Sequence, residues 1–281
     1  MKSLRFFSIA LFLTVSLAAF NVHPATGPPR EIKGADDAPM VLVPKGEFIM
    51  GSTPGTFIFG DNETPQRRVF LAAFYIDKYE VTNLFFNKRF ALRSGYRGSF
   101  SGDRQPVVGV SWFQAKSYCA SVKKRLPTEA EWEKAARGTD GRIYPWGGRP
   151  ADCSLAVMGG TVPSCNKGYA TWEVGSRPKG ASPWGAMDMA GNVTEWVADR
   201  YDEKYYRRAP LKNPKGPEAG GLRVLKGGAW FNSSQLLRAA FRTGFAPESA
   251  NHGIGFRCVK TLSRGFVGMP HPSRAMWAHR P

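Results

Sequence analysis

The chain has only four cysteines and four histidines in 281 residues. No CxxC spacing and no histidine pair near a cysteine is present, so a structural zinc site is not expected. Sustained helical periodicity is missing, as is any repeat of fixed period, which argues against a helical bundle or coiled coil. After residue 20 no apolar run approaches the ~20 residues needed to cross a bilayer. Acidic residues are also scarce: 22 Asp and Glu face 39 Lys and Arg, a formal charge of +17.

What is present points to one well-cored, loop-rich domain. Hydrophobic residues make up 42% and aromatics 13%, enough for a sizeable core and too much for wholesale disorder. The 31 glycines and 21 prolines exceed ordinary usage without a collagen period, and predict short elements joined by irregular loops.

Lys2 and Arg5 precede a charge-free apolar run from Phe6 to Phe20, followed by small residues around Ala18 and Ala25. This is the pattern of a secretory signal peptide over residues 1–25, with cleavage after Ala18 or Ala25. An uncleaved anchor is the competing reading. Residues 26–39 are expected to be a linker, 40–261 the domain and 262–281 an extended tail. Loss of Lys2 and Arg5 leaves the mature chain basic, with its densest patches at Lys123–Arg125 and Lys204–Arg208. The expected location is periplasmic or secreted, without stable membrane insertion. Nucleic acid is not an expected partner there, whereas weak attraction to anionic envelope surfaces is.

Export also favours pairing the cysteines. Four cysteines allow three connectivities. Cys153 and Cys165 flank Gly159, Gly160 and Pro163, which suits a small disulfide loop and leaves Cys119 for Cys258.

Element signals are local. Residues 40–48 suit a strand, a turn and a short strand, and 69–75 a second β-rich run. Thr82 is placed to cap a helix reaching about Ala91, and Ser111 to cap one that buries Trp112, Ala115, Tyr118 and Cys119. Thr128 and Glu131 have capping-box spacing, with Gly138 where the helix stops. Short late strands are expected at Val224–Leu225 and Phe256–Val259.

Eight motifs occur in order: GEFIMGS (46–52), FYIDKYEVTN (74–83), PVVGVSWFQAKSYC (106–119), KRLPTEAEWEKAARG (124–138), YPWG (144–147), WGAMDMAGNVTEW (184–196), RVLKGGAW (223–230) and GIGFRC (253–258). Together they resemble the sulfatase-modifying-factor family, which includes the formylglycine-generating enzymes. The chain resembles exported, cysteine-poor members of that family, such as its pyoverdine-maturation and denitrification-accessory members. The resemblance implies an α+β, C-type-lectin-like fold and pairing of Cys119 with Cys258. It also implies a calcium ion held by the side chains of Asp188 and Glu195 and the carbonyls of Gly191 and Val193, oxygen ligands suited to a hard cation. A second calcium site would fall near Ser154 and Lys167–Tyr169, where a lysine replaces an acidic ligand.

The resemblance breaks at the oxidase centre. Asn232 and Leu237 stand where the family's copper enzymes carry two cysteines, and neither side chain ligates Cu(I). Copper is therefore not expected. An iron site of the family's histidine-rich branch is not supported either, because His23, His271 and His279 fall outside the core and only His252 remains. The segment that forms the cleft in catalytic relatives offers Arg238, Arg242 and His252 as candidate catalytic groups and Trp230 and Asn232 as candidate substrate contacts. Arg257 is expected to form a structural ion pair. Three functions follow: a maturation factor or oxidoreductase-like enzyme acting on a protein or peptide of the cell envelope, a non-catalytic binding module on the same scaffold, or formylglycine synthesis by an unrecognised site.

Overall fold

Helix caps fix the three α-helices among the described residues. Thr82 accepts from the Phe85 N–H at the start of α1 (Asn83–Arg89). Ser111 and Gln114 form a reciprocal capping box on α2 (Trp112–Ser121), and Thr128 and Glu131 do the same on α3 (Glu129–Arg137). Each box satisfies two backbone donors that a helix start otherwise leaves open. Gly138 ends α3 at a φ of 70°, which suits glycine. The structure, a computed structural model, describes residues 28–55, 61–90, 98–160, 165 and 169–262. The expected leader (1–25) and the tail beyond Leu262 therefore lie outside the described residues, as do His23, His271, His279 and Lys167.

Among the described residues ten short strands form three sheets. The first has the order β1 (Glu31–Lys33), β2 (Pro39–Val43), β5 (Phe74–Asp77), β10 (Val259–Thr261), all antiparallel. The second pairs β3 (Gly46–Met50) with β4 (Arg67–Leu71). The third has the order β8 (Arg242–Phe245), β7 (Arg223–Lys226), β6 (Thr194–Arg200), β9 (Ile254–Phe256), with β6 and β9 parallel. Between α3 and β6 the described chain has neither strand nor α-helix. Trp132 of α3 and Trp196 of β6 are completely buried and tie these layers together.

Two expected strands are each divided. The apolar run over 69–75 belongs to β4 and β5, separated at Ala72–Ala73, where the Ala72 N–H donates to Asn213 instead of a ladder partner. The run over 256–259 is β9 and β10, with Arg257 and Cys258 at the crossing. The expected linker is also corrected: β1 lies inside it, and Asp36 makes a buried ion pair with Lys124 at 2.7 Å. Ordered structure thus begins before residue 40.

Cys119 pairs with Cys258, joining α2 to the β9–β10 crossing, and Cys153 pairs with Cys165. Beside the first disulfide, Asp77 accepts from Lys124 Nζ at 2.7 Å and from the Cys258 N–H at 2.9 Å. Burial nevertheless pushes Asp77 up to about 6, against the pull of Lys124. A raised folded-state pKa stabilises below the unfolded value near 4, and that contribution is lost as pH rises through about 6. Asp77→Asn should therefore show a smaller fall in melting temperature between pH 4 and pH 7 than wild type. An identical fall would assign the pH dependence to other groups.

Candidate functional site

The turn at 229–233 builds the candidate site. Asn232 Oδ1 accepts from the Ala229 N–H at 2.7 Å, and its own N–H returns a bond to the Ala229 carbonyl. The Gly159 N–H donates to the Asn232 carbonyl, and a Cβ on Gly159 would meet the Phe231 carbonyl oxygen at 2.4 Å. Asn232 therefore shapes the turn with its amide oxygen.

Trp230 is buried behind this turn and donates Nε1–H to the His252 carbonyl at 3.1 Å. His252 comes from the Asn251–Gly253 turn, which Asn251 closes by accepting from the Gly253 N–H. The two rings are 5.5 Å apart, Phe100 lies 5.9 Å from Trp230 and 5.7 Å from His252, and Phe231 meets Trp230 edge-on at 5.1 Å. Phe231 is 45% exposed, so four rings present one partly open aromatic face with an imidazole in it. Sequence reasoning found Trp230 and His252 but missed Phe231 and Phe100. Phe231 lies next to a named residue, whereas Phe100 stands in a Gly/Ser stretch with no periodic signal.

The structure does not bring Arg238 and Arg242 to this face as substrate clamps. Arg238 is buried in a bidentate pair with Glu63 at 2.7 and 2.8 Å. Arg242 is buried against Glu129 at 2.6 and 3.0 Å, between the rings of Tyr201 and Tyr206. Lys226 and Arg137 meet Glu133 in the same interior network. Burial alone would push Glu133 up, but those two cations hold it below the usual carboxylate range. The physical reason is desolvation: a buried guanidinium requires a buried carboxylate, and each of these arginines has one.

The expected cation loop lies at the start of β6. Asp188 accepts from the Gly175 N–H at 2.6 Å, and among the described residues its other oxygen takes no hydrogen bond. The buried carbonyls of Gly191 and Val193 likewise receive none. Gly191 adopts a φ of 84°, and a Cβ there would sit 2.3 Å from the Val157 carbonyl oxygen. Burial pushes Asp188 up to about 6, against the pull of the Gly175 N–H and of Arg257. Glu80, which accepts from the Val193 N–H and Asn192 Nδ2, is raised well above its ordinary value by burial and by the charges of Asp188 and Glu195. Three unengaged oxygens and surplus buried negative charge fit a hard cation. Glu195 is the exception, since Arg257 holds both its oxygens and Trp132 donates to one of them at 2.8 Å. Among the described residues no group of three or more His, Cys, Asp or Glu is arranged to hold a metal through side chains alone. At the second expected cation site, Ser154 is bonded to Asp152 through both its N–H and its hydroxyl.

Leu237, one of the two positions at issue for copper, is fully buried in an apolar cluster with Met158, Ala190 and Cys165.

Comparison with known proteins agrees with this architecture. The model of the sulfatase-modifying factor enzyme 1-like domain matches residues 28–262. The formylglycine-generating enzyme of Streptomyces coelicolor is 33% identical over 304 residues, covering 86% of this chain and 93% of that protein. The serine/threonine-protein kinase pkn1 of Chlamydia pneumoniae is 34% identical over 253 residues, but this chain spans only 38% of its length. Among solved structures, PvdO from Pseudomonas aeruginosa superposes with a TM-score of 0.72 at 29% identity, covering 85% of this chain and all of PvdO. The fold is the loop-rich α+β, C-type-lectin-like one.

Proposed function

The chain belongs to the sulfatase-modifying factor family, and from that premise we propose that it is an exported maturation factor acting on a protein or peptide at the Phe100–Trp230–Phe231–His252 face. The observation that carries this reading is the partly open aromatic cluster around His252, the one histidine among the described residues. Aromatic rings offer rigid apolar contact to a peptide, and an imidazole brings a hydrogen-bonding ring to the same face. Copper-thiolate chemistry is not part of the proposal. All four cysteines are closed in disulfides, and Asn232 and Leu237 supply no thiolate. The same disulfides support export into an oxidising compartment.

Calcium enters the proposal as a structural ion. Asp188 and the carbonyls of Gly191 and Val193 would hold it, and bound there it would offset the surplus negative charge of that loop. A non-catalytic binding module is the second reading. It is favoured by one observation, the withdrawal of Arg238 and Arg242 into interior ion pairs.

Mass spectrometry of exported proteins and peptides separates the readings. Cells lacking the gene, or carrying His252→Ala, should accumulate the same unprocessed species, absent from wild type, while Phe231→Ala should slow processing severalfold. A folded His252→Ala protein that restores processing would remove His252 from the chemistry. Stable capture of a partner without any mass change would establish the module instead. Conversion of a cysteine-containing sulfatase peptide to formylglycine would establish the third reading, synthesis by an unrecognised site.

A further inference from the structure

A groove of about 850 Å³ opens between α2, the approach to α3, the 213–215 loop and the start of β7. It shares no lining residue with the aromatic face. Its floor is apolar, from Leu71, Phe74, Leu126 and the indole of Trp112. Trp112 is fixed by its Nε1–H, which donates to the Val197 carbonyl at 2.8 Å. Over this ring lies the guanidinium of Arg223, 3.7 Å from the centroid, with Nη1 donating to the Ala198 carbonyl at 2.8 Å. Lys116 Nζ stands 5.1 Å from the same ring, and Lys215 also lines the groove.

The charges here do not balance. The one acid lining the groove, Glu131, is taken by Arg125 at 2.6 Å and by the Thr128 N–H. Among the described residues no carboxylate pairs with Arg223, Lys116 or Lys215. Burial and the nearby Arg200 lower the proton affinity of Arg223 more than the neighbouring Asp199 raises it. An arginine stacked on tryptophan and tethered through Nη1 is preorganised, and among the described residues its Nε and Nη2 make no other hydrogen bond, so both can donate to a planar oxyanion.

We propose that this groove docks an acidic peptide segment of a partner protein, with one carboxylate on Arg223, further acids facing Lys116 and Lys215, and an apolar side chain on the Trp112–Leu126 floor. Charge complementarity selects an anionic occupant. The apolar floor selects a peptide over an anionic glycan, which would meet the cations and leave the floor unfilled. A small acid would engage Arg223 and leave the lysines of two other elements unused. The proposal does not depend on the reaction at the aromatic face.

Fluorescence anisotropy with a labelled peptide of alternating glutamate and leucine tests it on the mature full chain. The expected result is saturable binding that weakens with salt. Arg223→Gln should weaken it about tenfold or more, the scale of a lost charged hydrogen-bond pair. Lys116→Glu combined with Lys215→Glu should weaken it at least as much. Both lysines are exposed, so this double variant keeps the test sharp if Arg223→Gln fails to fold. The proposal is overturned by absence of saturable binding to wild type, or by equal affinity in the double lysine variant. Equal affinity for an all-glutamate peptide, or tighter binding of a heparin oligosaccharide, would overturn it as well.

Discussion

Arg257→Leu is expected to destabilise the folded chain by about 3–5 kcal/mol, the cost of removing one partner from a buried ion pair. For a domain of this size that corresponds to a melting temperature lower by about 10 °C. Arg257 is fully buried, meets Glu195 at 2.7 Å, and also donates to the carbonyls of Asp77, Lys78 and Met187. Glu80, Asp188 and Glu195 all act on one another electrostatically around this guanidinium, and only Asp188 also feels a second one, Arg177. Deleting Arg257 leaves the interior carboxylates with too little positive charge. Calcium therefore provides the diagnostic arm. If the Asp188 loop holds the ion, millimolar calcium should recover part of the loss in Arg257→Leu and raise the wild-type melting temperature, and chelation should lower both. A loss in Arg257→Leu that calcium leaves unchanged would remove calcium from this loop.

This cluster also shows where sequence reading reached its limit. The DMAGNVTEW motif located Asp188, Gly191, Val193 and Glu195, and the GFRC motif located Arg257. Linear motifs cannot report that Arg257 occupies both oxygens of Glu195, nor that Glu80 approaches from a segment more than a hundred residues away. Helix starts were legible because capping is local: Thr82, Ser111 and Thr128 each bond within three residues. Strand boundaries were less so, because an apolar run is the same whether it stays in one sheet or crosses between two. At Ala72–Ala73 and at Arg257–Cys258 the chain changes sheets, and only tertiary pairing reveals it. The Cys153–Cys165 loop, by contrast, needed nothing beyond its short separation.

Arginines were the hardest residues to read, because an exposed clamp and a buried partner look alike in sequence. Arg242 offers the sharpest test of the difference. Its guanidinium takes both oxygens of Glu129 and also donates to the carbonyls of Asn62 and Asp202, so Arg242→Met should cost about 3–5 kcal/mol. Lys226, 3.9 Å from Glu129, cannot substitute fully, since it already bonds Glu133 and the Ala240 carbonyl. Neutralising the stranded acid should help. In Arg242→Met combined with Glu129→Gln the loss should be smaller than the sum of the two single losses, with a coupling of roughly 1–3 kcal/mol by denaturant unfolding. A catalytic arginine would behave differently: Arg242→Met would keep near-wild-type stability, show no coupling to Glu129, and lose processing of the exported substrate. That outcome would place the arginine back among the groups that touch substrate. Strong coupling instead makes the pair the brace between α3 and β8.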